Sequence, residues 1–406
     1  MAVNLPPPAE LLAVPGVRLA SGAAAIKAEG RDDVALILLD SGTSVAGVFT
    51  QSAFRAAPVL IAEPRVQSGG VRAFLVNSGN ANAATGEAGM EDALSLCRAA
   101  AAALELPEAS VLPFSTGVIG ERLPVAAMMP VIKSLPERLD ENNWLVAAQA
   151  IMTTDTVAKA QSLQLDLGGR TVTITGMAKG SGMIRPDMAT MLAYVCTDAA
   201  VSPDCLRQLL VRATAGSFNR ITVDGDTSTN DAFILAATGQ AGNSTVEDPD
   251  SAEAAWLLEG LTAVARTLAQ AIVRDGEGAT KFVTVSVEGG ATEAECLQVA
   301  YTIAESPLVK TALFASDPNW GRLAMAIGRA GIENLDPAGV QVFFGDVQVM
   351  RDGLMDPGYS EEAGAAVLAA AEFTIRVGLG RGDAMADVWT SDLSYEYVRI
   401  NAEYRT

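Results

Sequence analysis

The chain contains no histidine, so it lacks the side chain that most often moves protons at neutral pH. That single absence excludes Ser-His, Cys-His and His-metal mechanisms. Acid–base work then falls to lysine, a carboxylate, tyrosine or an amine at a chain end. One stretch gains weight against this background: KGSGMIRPDMATMLAYV, residues 179–195. It sets Thr190 behind the small Ala189, after a loop with Gly180 and Gly182 and at the start of an apolar run. A threonine hydroxyl is a poor nucleophile unless a base sits beside it. The α-amine of the same residue can be that base if the threonine begins a chain. An ordinary α-amine, with a pKa of about 7.7–8.0, can take and return a proton near neutrality. Thr190 is internal. It becomes terminal only if its hydroxyl attacks the Ala189 carbonyl and water opens the resulting ester. A small preceding residue and a glycine loop suit that step without demanding it. The same stretch also admits Ser181 as nucleophile with Lys179 as its amine base, or a plain loop between strands. It is not a dinucleotide fingerprint, because Arg185 stands where the last glycine belongs.

Other polar clusters offer partners for such a hydroxyl. PFSTGVIG (113–120) puts Thr116 beside Gly117 after an expected strand. A hydroxyl and a backbone N–H side by side can form an oxyanion hole, or simply a turn. MTTDTVAK (152–159) gathers Thr153, Thr154 and Asp155 after a helical run. That pattern suits a helix end or a pocket for a polar substrate. RDGEGATKF (274–282) holds Glu277 between two glycines, where a carboxylate can grip an ammonium group or stand exposed. NRITVDGDTSTNDAF (219–233) fails as a calcium loop. Thr229 occupies the position that needs glycine, and Leu235 the one that needs a bidentate glutamate. It reads as a hydrogen-bonded turn supporting the core. The tail YVRINAEYRT (397–406) carries Asn401 and Thr406, which have the reach to close a pocket.

These residues need a scaffold, and the sequence alternates short apolar runs with alanine-rich helical ones. Residues 34–40, 71–77, 171–176, 190–198 and 282–289 read as strands. Residues 89–106, 203–218 and 251–274 read as helices, with apolar positions recurring every three or four residues. The C-terminal part repeats the theme, with a helix near 360–371. The pattern predicts an α/β protein of layered sheets. Half of the 406 residues are hydrophobic, enough for a large core. Acidic residues outnumber basic ones 48 to 28, for a formal charge of −20. Such a surface repels phosphate backbones and anionic membranes, which argues against both as partners. No targeting segment is recognisable, and the expected location is the cytoplasm. Cys97, Cys196, Cys205 and Cys296 lie far apart and read as reduced thiols, with no metal site.

Taken together, the clusters resemble the ornithine acetyltransferases, the bifunctional glutamate N-acetyltransferases of arginine biosynthesis. The resemblance rests on FSTGV, TTDT, KGSGMIRPDMATML, TVDGDTSTND, RDGEGATKF, SPLVKTALFASDPNWGR and YVRINAEYRT, in the family's order along nearly the whole chain. Ala158 and Ser52 depart from the family pattern, outside the proposed catalytic positions. The resemblance implies a layered αββα sandwich of the N-terminal-nucleophile-like type with a smaller C-terminal α/β region. It implies cleavage between Ala189 and Thr190, into an α chain of 1–189 and a β chain of 190–406 that stay together as α2β2. Thr190 is then the nucleophile that carries the acetyl group from N2-acetylornithine to glutamate, and Thr116 and Gly117 form the oxyanion pair. Thr153, Lys179, Thr190, Glu277, Asn401 and Thr406 match the substrate-binding positions. No cofactor is implied, although acetyl-CoA can serve as donor in bifunctional members. The rival readings are an N-terminal-nucleophile aminopeptidase or amidase on the same scaffold, and a non-catalytic amino-acid-binding protein.

Overall fold

The computed structural model of the protein describes residues 2–27, 29–185 and 191–404. Short apolar runs buried along their whole length set its architecture, because a strand buried on both faces must lie between two layers. A first sheet contains β1 (Val17–Gly22), β2 (Val34–Leu39), β4 (Ala73–Asn80) and β5 (Val111–Val118), in the order β1-β2-β4-β5. A second contains β3 (Ser44–Phe49), β6 (Lys159–Asp166), β7 (Thr171–Lys179), β8 (Leu192–Thr197) and β10 (Ala232–Ala237). Its order is β3-β10-β8-β7-β6.

The two sheets stack through one shared core layer. In β2, Ala35, Ile37 and Leu39 enter that layer, while Val34, Leu36 and Leu38 face the other way. In β8, Leu192, Tyr194 and Cys196 enter it from the opposite side, and Ala193 and Val195 face outward. The Tyr194 ring stacks on Phe74 at 5.9 Å and meets Phe114 edge-on at 5.2 Å, joining the sheets by aromatic contact. Helices Gly86–Leu104 and Val125–Ser134 cover the outer face of the first sheet. Helices Pro203–Ala215 and Ala252–Arg274 cover the second. Ser202 and Ser251 cap these last two by accepting a backbone N–H three residues on. The result is the expected αββα sandwich.

The C-terminal region has a third sheet with its own core. It contains β9 (Ile221–Thr222), β11 (Phe282–Gly290), β12 (Gln341–Phe344), β13 (Val347–Arg351), β14 (Leu354–Met355), β15 (Glu372–Gly378) and β16 (Ala384–Ser391). The order is β14-β13-β12-β15-β11-β16-β9. Helices Glu293–Ala304 and Trp320–Gly328 pack against it. Phe282 and Trp389 reach into the sandwich core, so the two regions are stitched together. Among the described residues all four cysteines are free and buried. No helix there is long and apolar enough to cross a membrane, and no group of side chains could hold a metal ion.

Candidate active site

Lys179 closes β7, and the polar ends of both sandwich sheets meet at its ammonium. Its Nζ donates to Thr116 Oγ1 at 3.1 Å and to Thr153 Oγ1 at 2.9 Å. Each hydroxyl accepts from the ammonium and keeps its own hydrogen to give elsewhere. Burial pushes the Lys179 pKa below the ordinary lysine value, although the nearby Asp155 carboxylate opposes the shift. Around these groups lies a cavity of about 270 Å³. Its wall includes Thr116, Gly117, Thr153, Lys179, Glu277 and Asn401.

The first sheet presents Thr116 and Gly117 through a distortion. The parallel pairing of β4 with β5 shifts register at Gly79–Asn80, and Asn80 faces both Thr116 and Val118. A bulge of this kind re-aims the strand end. Gly117 takes a φ of +136°, and a Cβ there would overlap the Gly79 carbonyl carbon. Only glycine fits between the two strands at that point.

A buried charge cluster fixes the loop that carries Thr153. Asp155 accepts the Thr153 N–H at 3.0 Å and the Gly180 N–H at 2.8 Å. Lys159 Nζ lies 2.7 Å from Asp155 and 2.7 Å from Asp275. Asp275 in turn accepts the Thr156 N–H at 2.9 Å. Burial alone would raise the Asp155 carboxyl. Lys159, and then Lys179, outweigh burial and hold it below the usual carboxylate range.

Glu277 enters from the loop before β11. Its N–H donates to the Ser181 carbonyl at 2.8 Å. Its side chain is buried and accepts the Asn401 amide at 2.7 Å. Asn401 lies on helix Tyr395–Ala402, which begins with a Ser394 cap. The Ser394 hydroxyl also donates to the Gly278 carbonyl at 2.6 Å, tying helix and loop together. Gly182 faces the Glu277 carboxylate so closely that any Cβ would overlap it. One wall of the cavity therefore offers a carboxylate, and another offers an ammonium with two hydroxyls. Together they suit a ligand carrying both charges.

The ArgJ family pattern matches residues 18–406 of this chain. The chain belongs to the ArgJ family. It is 53% identical to the arginine biosynthesis bifunctional protein ArgJ of Pseudomonas syringae pv. tomato over 411 residues, covering all of both chains. The protein of the same name from Pseudomonas fluorescens is 51% identical over 406 residues, again covering both chains fully. Among solved structures, the arginine biosynthesis bifunctional protein ArgJ of Bacillus halodurans is 42% identical with a TM-score of 0.51. That match covers 53% of this chain and 100% of that one.

In this ArgJ-family chain, Thr116, Gly117, Thr153, Lys179, Glu277 and Asn401, from five separate sequence motifs, line one cavity. Ala189, Thr190 and Thr406 lie outside the described residues. Ile184 and Met191, on either side of residues 186–190, both line the cavity. Three sequence expectations need correction. Thr116 and Gly117 sit inside β5 and not after it. Ser181 forms no pair with Lys179, because its hydroxyl lies 2.6 Å from Thr154 Oγ1 while the ammonium turns to Thr116 and Thr153. Residues 228–231, read as a supporting turn, also line the cavity. Asn230 does brace the fold, donating to the Ala81 and Ser115 carbonyls at 2.6 and 2.8 Å. Asp231 is buried, and burial raises its carboxyl well above the usual range. Tyr404 completes the wall and was not anticipated. The i,i+4 spacing of Asp155 and Lys159 was a usable signal for the charge cluster, but their partner Asp275 had none.

Proposed function

We propose that the protein moves the acetyl group of N2-acetylornithine to glutamate through an ester on Thr190, after the chain opens itself between Ala189 and Thr190. The observation that carries this reading is the convergence of Lys179, Thr116, Thr153, Glu277 and Asn401 on a cavity whose wall also includes Ile184 and Met191. In the first half-reaction the Thr190 hydroxyl gives its proton to the Thr190 α-amine and attacks the acetyl carbonyl. The Thr116 hydroxyl, which accepts from Lys179 and so keeps its own hydrogen to give, donates to the developing oxyanion beside Gly117. The C–N bond breaks, and the proton on the α-ammonium passes to ornithine as it leaves. Glutamate then attacks the ester with its neutral amine, its surplus proton goes to the α-amine, and N-acetylglutamate departs as the threonine hydroxyl is restored. Lys179 meets the substrate α-carboxylate, and Glu277, held by Asn401, meets the side-chain ammonium of ornithine.

Sheet order supports two chains that stay together after the cut. Chain 1–189 would supply β3, β6 and β7 to the second sheet, and chain 190–406 would supply β8 and β10 between them. Two such αβ units pair as α2β2 in this reading. The 53% share matched by the whole Bacillus halodurans chain fits a fragment of the size of 190–406. Acetyl-CoA as first donor needs no new residue roles, since the same ester forms and a thiol leaves. Four free, buried cysteines fit a reducing cytoplasm.

Denaturing electrophoresis with N-terminal sequencing tests the central step. Wild-type protein gives two bands, one beginning T-M-L-A, and Thr190→Ala gives one band with no acetyl transfer. A full-length chain that transfers acetyl at the wild-type rate would overturn the scheme. Release of free acetate at a rate indifferent to glutamate would replace transfer by hydrolysis.

A further inference from the structure

If acetyl transfer alternates between ornithine and glutamate, the site faces an electrostatic conflict. Both amino acids must bring an α-amine to the same acetyl group, yet their side chains end in opposite charges. Glu277, buried and steadied by Asn401, suits an ammonium and repels a carboxylate. The side chain of glutamate therefore needs a different place from that of ornithine.

A second cavity, of about 280 Å³, borders the first. The two share Gly117, Thr153, Thr154 and Tyr404. Its wall carries Lys27 and Arg31, two cations in a chain of formal charge −20. Lys27 Nζ donates to the Tyr404 carbonyl at 2.8 Å and lies 4.5 Å from the centre of the Tyr404 ring. Arg31 donates to the Met152 carbonyl. Both partners are neutral, so neither bond cancels a charge. The carboxylate in this wall, Asp33, accepts the Ala24 and Ile26 N–H groups at 2.6 Å each and so shapes the turn that carries Lys27. Tyr404 stands between the chambers. Its backbone and ring meet Lys27, while burial and then the Glu277 and Asp155 carboxylates raise the pKa of its hydroxyl.

We infer that Lys27 and Arg31 receive the side-chain carboxylate of glutamate, so that the two substrates share one α-amine position and part company at Tyr404. The inference rests on the acetyl-transfer reading above. Each substrate then has a chamber of matching charge: Glu277 for ornithine, Lys27 with Arg31 for glutamate. Neutral acceptors such as glutamine gain nothing from the second chamber, which makes it a specificity device as well as a binding one.

Steady-state kinetics of the processed enzyme test this with Lys27→Gln, Arg31→Gln, the double variant, Arg31→Lys and the mirror variant Glu277→Gln. Lys27 and Arg31 are exposed, and loss of one charge-assisted contact there corresponds to at most about a tenfold change. The glutamate KM should rise by up to about tenfold in each glutamine variant and further in the double, while the acetylornithine KM moves less than threefold. The preference for glutamate over glutamine should fall by the same factor, and Arg31→Lys should restore most of it. Glu277→Gln should show the reverse split, raising the acetylornithine KM alone. Melting curves identify any variant that is merely unfolded, and the remaining variants then decide. An unmoved glutamate KM, or equal rises for both substrates, overturns the inference. Wild-type enzyme that transfers no acetyl group defeats the underlying reading and the inference with it, a result distinct from transfer that persists without the predicted split.

Discussion

Lys159 opens β6 and Lys179 closes β7, and the antiparallel register sets them side by side, with Lys159 opposite Ala178. Both are buried. Lys159 lies 2.7 Å from each of two carboxylates, Asp155 and Asp275. Lys179 is held by two threonine hydroxyls. A cation between two carboxylates has its charge fully answered by the protein. A cation held by hydroxyls keeps its charge for something else. One lysine serves the scaffold and its neighbour faces the cavity, and the difference lies in partners, not in residue type.

Removing each cation in turn puts that contrast at risk. The largest expected effect is on stability. Lys159→Met leaves Asp155 and Asp275 buried without their counter-ion and should cost about 3–5 kcal/mol in urea unfolding. Equal losses from Lys159→Met and Lys179→Met would erase the distinction. Next comes pH. The Asp155 pKa is lower in the folded state than in the unfolded chain, so its contribution is present above the usual carboxylate range. It is lost as pH falls from that range down through the lower folded pKa, and Asp155→Asn should flatten the acid side of the stability curve. The Lys179 pKa is also lowered on folding, so its burial opposes folding at neutral pH. That cost is relieved as pH climbs through the folded pKa toward the ordinary lysine value.

Lys179→Met removes that burial cost but also the hydrogen bonds to Thr116 and Thr153 and part of the support of Asp155, so unfolding midpoints should stay almost unchanged while the KM of both proposed amino-acid substrates rises roughly 10- to 100-fold. The smallest expected change is Gly182→Ala. Its methyl group presses on the end of a flexible side chain, Glu277. It should raise the acetylornithine KM a few-fold and shift stability by less than about 1 kcal/mol.

Much of this was legible in the sequence because it depends on local order. The alternation in residues 171–176 announced β7, and the apolar run of 34–40 announced β2. The periodicity of residues 251–274 announced the long helix over β6 and β7. The motifs around Thr116, Thr153, Lys179, Glu277 and Asn401 were visible as polar clusters, and family resemblance assigned them to one pocket. What stayed hidden depends on long-range placement. Asp275 joins Lys159 across 116 positions, and no spacing rule links such residues. Tyr404 looked like part of an ordinary tail until the Ser394-capped helix brought it to the cavity. Residues 228–231 read as simple support because their motif signals a turn; Asn230 does brace the first sheet, yet all four residues also line the cavity.

The Asn230 amide grips one carbonyl at the end of each of two neighbouring segments of the first sheet, from a loop that leads into the second. Any sliding of one layer over the other would have to break both bonds at the base of the pocket. The base is thus a fixed jaw. On the opposite side the C-terminal arm leans on Glu277 and Lys27 through the Asn401 amide and the Tyr404 carbonyl, contacts that lie outside both sheets.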